Sequence, residues 1–455
     1  MLGVFICQIV ADALNFAAMP DSNTPFDTSF LLTLTFAAAL AIGMLLKFWL
    51  SSRQIRHVAL HRVQVPVAFA QTITLAAHQK AADYTLAKAR LGLLELALGT
   101  VLLVGWTLLG GLTLLNQSLV GWLGLGMVQQ LALLVAFVAI GGVIELPMTL
   151  YQTFVLEERF GFNKMTFKLW LADLLKSSLI AALIGLPIAA LILWMMAATG
   201  PLWWLWAWGV WMGFNLLLLV IYPTLIAPLF NKFVPLEDAE LKARVNALMQ
   251  RCGFSSKGLF VMDGSKRSAH ANAYFTGFGA AKRVVFFDTL LSKLCSSEVD
   301  AVLAHELGHF KHKHIIKRII SMFAMSLTGF ALLGWLSQQT WFYTGLGVVP
   351  NLVGANDALA LLLFMLAMPV FSFFMAPIFA HFSRQHEFQA DAYAVQHTSG
   401  TALATALLKL YEDNASTLTP DPIFVKFYYS HPAASERLAR MLSNSSPLSL
   451  NEKSI

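Results

Sequence analysis

Long apolar runs separated by short polar connections dominate the chain from residue 29 to residue 382. A transmembrane helix needs about 20 consecutive, mostly apolar residues. Seven stretches meet that requirement: 29–50, 91–115, 119–150, 169–199, 202–230, 319–341 and 357–382. Two polar regions remain, 231–318 and 383–455. In the first, Leu241, Val245, Leu248, Met249 and Cys252 recur at helical spacing, and Gly253 supplies a stop. Residues 259–262 and 284–287 read as short strands around a turn-rich stretch. Asp288 and Ser297 are candidate helix N-caps, with Ser297 and Asp300 spaced as a capping box. The tail reads as mostly helical, with loops near Pro420, Pro422 and Pro432. Residues 2–18 are apolar, short for a span and interrupted by Asp12, which suggests an interfacial or half-buried lead-in.

Composition strengthens the membrane reading. Hydrophobic residues make up 57% of the 455 residues and charged residues only 12%, about half the usual charged share of a soluble domain. This argues against a soluble enzyme, a disordered chain or a nucleic-acid module. The net charge of +6, from 31 basic and 25 acidic residues, is too small and dispersed for a polynucleotide groove. Its placement is more informative. Arg53, Arg56, Arg62, Lys80, Lys88 and Arg90 lie in the first connection, and Arg159, Lys164 and Lys168 in the third. The connections 116–118, 200–201 and 342–356 contain no Lys or Arg. Basic loops stay in the cytoplasm, so the N-terminus is expected outside and both polar regions inside. No Lys or Arg precedes Lys47, so the start lacks the basic segment of a signal peptide. Three widely separated cysteines favour neither a disulfide framework nor a cysteine metal site.

The chemistry is concentrated at residues 305–309, His-Glu-Leu-Gly-His. On a helix, positions four apart share a face, so His305 and His309 can bind one Zn²⁺ while Glu306 stands beside it as a general base for water. A catalytic zinc usually has three protein ligands. Downstream, Glu387 and Asp391 are again four apart. Glu387 can be the third ligand, and Asp391 can accept the outer N–H of a zinc histidine. A solvated acidic face is the alternative. Topology favours the metal, because two spans separate His309 from Glu387 and return the chain to the same side. The expected fold is therefore a mainly α, polytopic membrane protein with seven transmembrane helices and a small cytosolic zincin-like α+β metalloprotease region. Its units are expected at 1–230, 231–318, 319–382 and 383–455.

Several stretches resemble the type 1 CAAX prenyl protease family. They are Glu157-Glu158-Arg159-Phe160-Gly161-Phe162-Asn163-Lys164, Asn272-Ala273-Tyr274-Phe275-Thr276-Gly277, Phe286-Phe287-Asp288-Thr289-Leu290, residues 305–309, residues 383–391 and His431-Pro432. The resemblance covers most of the chain from about residue 145. It implies a seven-spanning zinc metalloprotease built around a large water-filled chamber, with one Zn²⁺ per chain. Its implied substrates are the C-termini of CAAX-type prenylated proteins, or membrane-associated peptides in a bacterium. It also implies that Asn272, Ala273 and Tyr274 form an edge strand that binds an extended peptide, against the alternative of an Asn-initiated turn. His431 and Arg437 match the family's tail motif and are expected at the substrate, where they stabilise an oxyanion; a structural His-Pro turn is the other reading. Arg384, one turn before Glu387, is expected to orient it or to bind a peptide carboxylate, unless it forms a surface ion pair.

Other features read more plainly. His312 and His314, beside Lys311, Lys313, Lys317 and Arg318, suggest a basic collar at lipid headgroups rather than a second metal site. His386 is expected on another helix face from Glu387. The Trp203–Trp208 region reads as an interfacial aromatic belt. Glu95, Glu145, Asp173 and Lys176 lie near span ends, where they can line a chamber, snorkel or pair. The expected partners are a peptide or protein substrate and the lipid bilayer, with no nucleic acid; the expected location is a bacterial inner membrane with the active site on the cytoplasmic side. A membrane-protein quality-control protease without prenyl specificity, a transporter or channel, and a zinc-stabilised scaffold are the competing functions.

Overall fold

The computed structural model describes residues 27–254, 258–276 and 283–443. The lead-in expected at 2–18 lies outside them. Among the described residues, seven helices are long and apolar enough to cross a membrane: Thr28–His61, Leu75–Trp106, Met127–Glu157, Phe167–Ala198, Gly200–Leu229, His314–Leu336 and Asp357–His397. They are called spans one to seven below. Several outrun the bilayer. Span one has 34 residues, about 51 Å of helix against ~30 Å of hydrocarbon, so its last turns project beyond the membrane.

Two predicted boundaries are corrected. The run expected at 91–115 is displaced, because span two begins at Leu75 and stops at Trp106. A separate helix, Gly111–Leu123, follows before span three. Hydropathy cannot see this break, since both sides of it are apolar. The backbone does: Gly110 and Gly124, which flank the short helix, both have positive φ, a conformation that costs glycine nothing. Span seven also continues past its predicted end at 382. A single 3-10 turn, Phe373–Met375, leads into Ala376–His397, which accepts Pro377 in its first turn.

The spans converge at one end. A shared core takes Phe36 from the start of span one, Leu133 from the start of span three, Leu193 from the end of span four, Trp203 from the start of span five, Leu333 from the end of span six and Leu359 from the start of span seven. By alternation these positions lie on the side whose connections lack basic residues. A buried amide network closes this end. Gln129 Nε2 donates to Asn116 Oδ1 at 2.8 Å, Asn116 Nδ2 to Asn351 Oδ1 at 2.9 Å, and the Ala358 N–H to Gln130 Oε1 at 2.9 Å. In a water-free environment each such group needs a partner. Only 6% of the apolar windows of spans three to six is buried. A solid bundle would bury one face of every helix, so the halves nearer the protease unit do not meet in a common core.

The Trp203–Trp208 stretch is only partly a belt. Trp203 is buried, Trp204 packs where a Cβ on Gly334 would meet it, and Trp208 Nε1 donates to Phe323 O at 3.2 Å and Ser326 Oγ at 3.1 Å. Trp206 faces outward. An indole N–H in an apolar setting seeks a partner, and span six supplies it.

The extramembrane unit contains a four-stranded sheet in the order β1-β2-β4-β3: β1 Phe233–Pro235, β2 Gly258–Met262, β3 Ala273–Thr276 and β4 Arg283–Phe287. β2 and β4 are parallel, and the other two pairs antiparallel. Leu259, Val284 and Phe286 share a core with Val245 and Leu248 of helix Ala239–Arg251 and with Leu303 and Leu307 of helix Ser296–Lys311. Helices Ala376–His397, Gly400–Asp413 and Ala434–Ser443 complete it.

The capping box expected at Ser297 and Asp300 lies elsewhere. The helix is capped at Cys295, whose N–H donates to Glu298 Oε2 at 2.8 Å, while Asp300 accepts from Arg244 at 2.6 Å. The membrane and extramembrane parts are tied together by Arg267, which donates to Asp173 at 2.8 and 3.0 Å, while the Tyr84 hydroxyl of span two donates to Glu157 at the end of span three at 2.6 Å. Phe162 stacks on His270 at the same junction. Thus Asp173 pairs. Lys176 reaches Leu229 O at 3.4 Å, Glu145 is exposed, and Glu95 lines a cavity of about 200 Å³ with Lys47 and Phe373.

Candidate active site

The helix Ser296–Lys311 presents His305 and His309 one turn apart, and Ala376–His397 presents Glu387 opposite them. The two helices can approach because residue 308 is glycine. A Cβ there would lie 2.9 Å from Ala390 Cα and 3.1 Å from its carbonyl oxygen. Both neighbours are backbone atoms and cannot step aside singly. Gly308→Ala is therefore expected to part the helices, costing about 1–3 kcal/mol as overpacking and weakening metal retention. Thermal melting and metal stoichiometry check this; a variant unchanged in both would show that the contact is not constraining.

The convergence is tight. His305 Nε2 lies 3.2 Å from His309 Nε2, 3.5 Å from Glu387 Oε2, and His309 Nε2 lies 3.4 Å from Glu387 Oε1. Four ligands around a tetrahedral zinc with ~2.0–2.1 Å bonds stand about 3.3–3.4 Å apart. The two imidazole nitrogens and the Glu387 carboxylate thus stand at the separations that such an ion needs. Glu387 is 5% exposed, and its buried Oε2 has no hydrogen-bond partner. Burying a carboxylate oxygen unpaired is costly, and a cation accounts for it. Two imidazoles and one carboxylate suit zinc far better than the all-oxygen sets of calcium or magnesium.

Behind His305, Asp391 Oδ1 lies 2.8 Å from Nδ1. Arg437 grips Asp391 with Nε at 2.8 Å and Nη2 at 2.6 Å, a bidentate pair that keeps the carboxylate charged. Burial lowers the pKa of His305, but the neighbouring Asp391 and Glu387 carboxylates reverse this and raise it to about 9. Glu306 is half-buried. Burial lifts its carboxyl above the ordinary range, with His305 and His309 partly offsetting the effect. Such a shift suits a proton acceptor working near neutrality.

The remaining expected residues divide. His431 stands at the rim, its side chain 59% exposed, with Nε2 3.5 Å from Glu387 Oε1 and Nδ1 2.9 Å from Ser430 Oγ. Arg437, expected at the substrate, is instead buried behind Asp391, because helix Ala434–Ser443 packs into the protein core. The hydrogen-bond partners of Arg384 are backbone carbonyls rather than Glu387. The Arg384 Nη1 donates to Val425 O at 3.1 Å and Tyr429 O at 2.8 Å, satisfying carbonyls at the end of helix Pro422–Tyr428. It thereby steadies the segment leading to His431. Ala273 and Tyr274 lie on β3, an edge strand of the sheet, paired among the described residues with β4 alone. Asn272 precedes it, exposed, with its Oδ1 accepting the Ala273 N–H at 2.8 Å and its carbonyl accepting from Phe287. The strand is present, and Asn272 enters it without a turn.

Sequence reasoning missed His314 and Gln389. The expected headgroup collar fails for His314, which is 4% exposed and lies against His309. His312 stays exposed. The signal was hidden because position i+5 falls off the face of a continuous helix. The helix ends at Lys311, and Lys313 adopts a left-handed φ of 57° before His314 starts span six. His386 points away from Glu387's face and stacks on His314 at 4.0 Å.

Comparison with known proteins agrees with this geometry. A family described as "CAAX prenyl protease N-terminal, five membrane helices" matches residues 54–232, and peptidase family M48 matches residues 235–445. The chain is 38% identical over 326 residues to CAAX prenyl protease 1 of Saccharomyces cerevisiae, covering 69% of this chain and 72% of that protein. It is 31% identical over 457 residues to the human CAAX prenyl protease 1 homolog, covering 89% and 94% respectively. The crystal structure of S. mikatae Ste24p superposes with a TM-score of 0.82 at 31% identity, covering 92% of this chain and 100% of that one. A seven-helix membrane bundle, an M48 protease unit and relatives matched over most of their length place this chain in the CAAX prenyl protease 1 family of integral-membrane metallopeptidases.

Proposed function

We propose that the protein is a zinc endopeptidase that cuts peptide bonds near the C-terminus of CAAX-type prenylated or membrane-associated substrates at the cytoplasmic membrane face. One observation carries the reading: His305, His309 and Glu387 bring three ligand atoms within 4.8 Å of one another, with Glu306 beside them and a free strand edge at β3. Zn²⁺ held by these residues would supply Lewis acidity toward water and the scissile carbonyl. Glu306 accepts the proton of the attacking water on its carboxylate and passes it to the leaving amine nitrogen. His431, at the rim, donates an N–H to the carbonyl oxygen as negative charge develops there. Asn272, Ala273 and Tyr274 hold the substrate backbone in an extended form through strand addition. Asp391, kept charged by Arg437, holds His305 in its ligating tautomer.

The basic connections support a cytoplasmic active site. The bacterial inner membrane is the proposed membrane, on the sequence reading alone. The names of the relatives support a prenylated substrate class. Purified protein should cleave peptides from a panel of prenylated and unprenylated C-termini, with products read by mass spectrometry. A chelator should abolish cleavage and zinc restore it. Cleavage of both kinds at equal rate would remove the prenyl requirement and leave a general membrane-associated protease. Zinc-independent behaviour would remove the metalloprotease reading.

A further inference from the structure

We propose that His314 and Gln389 form an uncharged proton-ordered relay that positions His309 for metal binding; this rests on the zinc reading of the site given above. His309 and His305 turn their Nε2 atoms toward each other at 3.2 Å and toward the Glu387 oxygens. A ligating Nε2 needs its lone pair, so the proton of His309 sits on Nδ1. That N–H must be donated, and His314 Nδ1 lies 3.0 Å away. His314 can accept only if its own proton is on Nε2. Its Nε2 lies 2.8 Å from Gln389 Oε1, an oxygen that can only accept. Every donor in the chain His309–His314–Gln389 therefore meets an acceptor, and one tautomer of each ring satisfies all three residues. The reverse tautomer of His314 would set two N–H groups against each other in a buried place, where an unmet donor is costly.

Packing holds the relay in register. His314 is buried. His386 stacks on it with ring centroids 4.0 Å apart and an interplanar angle of 14°. Gln389 and His386 belong to the same helix as Glu387, so one helix both supplies the third ligand and orients the second. The two histidine ligands thus have different supports. His305 leans on an ionised carboxylate, Asp391, itself paired to Arg437. His309 leans on neutral groups. An anion behind a ligand raises its basicity and lowers the metal's acidity. A neutral second support fixes the ring without adding that charge.

The test measures zinc affinity of the purified full chain by chelator competition, with zinc alone as the probe. His314→Phe keeps the ring and its stacking but removes the acceptor. His314→Asn places an amide oxygen where Nδ1 was. Gln389→Met removes the acceptor at the relay's end, and Gln389→Glu keeps one. His314→Phe and Gln389→Met are expected to weaken zinc binding about tenfold to a hundredfold. His314→Asn and Gln389→Glu are expected to recover most of it, and zinc-free melting temperatures should be alike in all four. Parental affinity in both acceptor-deleting variants would overturn the relay. So would equal loss in His314→Phe and His314→Asn, which would show that an acceptor at the Nδ1 position is not what His314 supplies. Should the His314 variants fail to fold, the Gln389 pair reads the same hydrogen bond. A parent chain that binds no zinc would overturn the relay together with the site itself, whereas a zinc-binding parent with unaffected variants overturns the relay alone.

Discussion

Glu306→Gln is expected to leave zinc stoichiometry unchanged and to reduce peptide hydrolysis by roughly a hundredfold to ten-thousandfold, the usual range for a general base. Glutamine matches the shape of glutamate and fits the same half-buried position, so the fold and the three ligands are preserved. What it removes is basicity: an amide oxygen accepts a hydrogen bond but does not take the water's proton. The native carboxyl is raised by burial, with the two histidines partly countering, which brings it closer to the pH at which it must accept and release a proton. Metal analysis and product mass spectrometry on the same preparation decide the matter. A zinc-loaded variant that still cuts at the parental rate would assign the base elsewhere.

Glu387→Ala should lose the metal. The substitution deletes one of the three proposed ligands and leaves two imidazoles whose Nε2 atoms lie 3.2 Å apart. Hydrolysis is expected to fall with zinc content, not independently of it. His312 is no substitute, since it is exposed and stacks beside His314. His431 is the nearest replacement, with Nε2 3.5 Å from the Glu387 carboxylate. Residual zinc in Glu387→Ala should therefore vanish in the Glu387→Ala/His431→Ala double variant. Full zinc occupancy in the double variant would falsify the assignment of Glu387 as a ligand.

Much was legible from local spacing. Hydropathy found seven spans because a bilayer demands length and apolarity, which are properties of a single segment. Its errors came where two apolar helices meet without a polar boundary, as at Gly110 and Gly124. The motif at 305–309 was legible because helical periodicity alone puts His305 and His309 on one face. The proximity of Glu387 to His305 and His309 was legible one step further, from the parity of two crossings. The edge strand at Ala273 and Tyr274 came through the resemblance, and the sheet order places it at a border.

Residues behind the ligands were not legible in the same way. Arg437 was expected to face substrate and instead anchors Asp391, 46 positions away. Arg384 was expected beside Glu387 and instead satisfies carbonyls of another helix. His314 was expected among lipid headgroups and instead lies against His309. These roles depend on which helix faces touch, and that is set by close approach at Gly308 and Ala390 and by the left-handed turn at Lys313.

The amino-acid sequence by itself determined which segments are long and apolar enough to cross a membrane and which histidine and carboxylate residues recur at helical spacing, because each follows from periodicity or from counting along one chain. Only the tertiary structure decided what supports each ligand. A hydrogen bond between residues 46 or 75 positions apart depends on the packing distance and rotation of two helices, and neither quantity is written in the local pattern of either one.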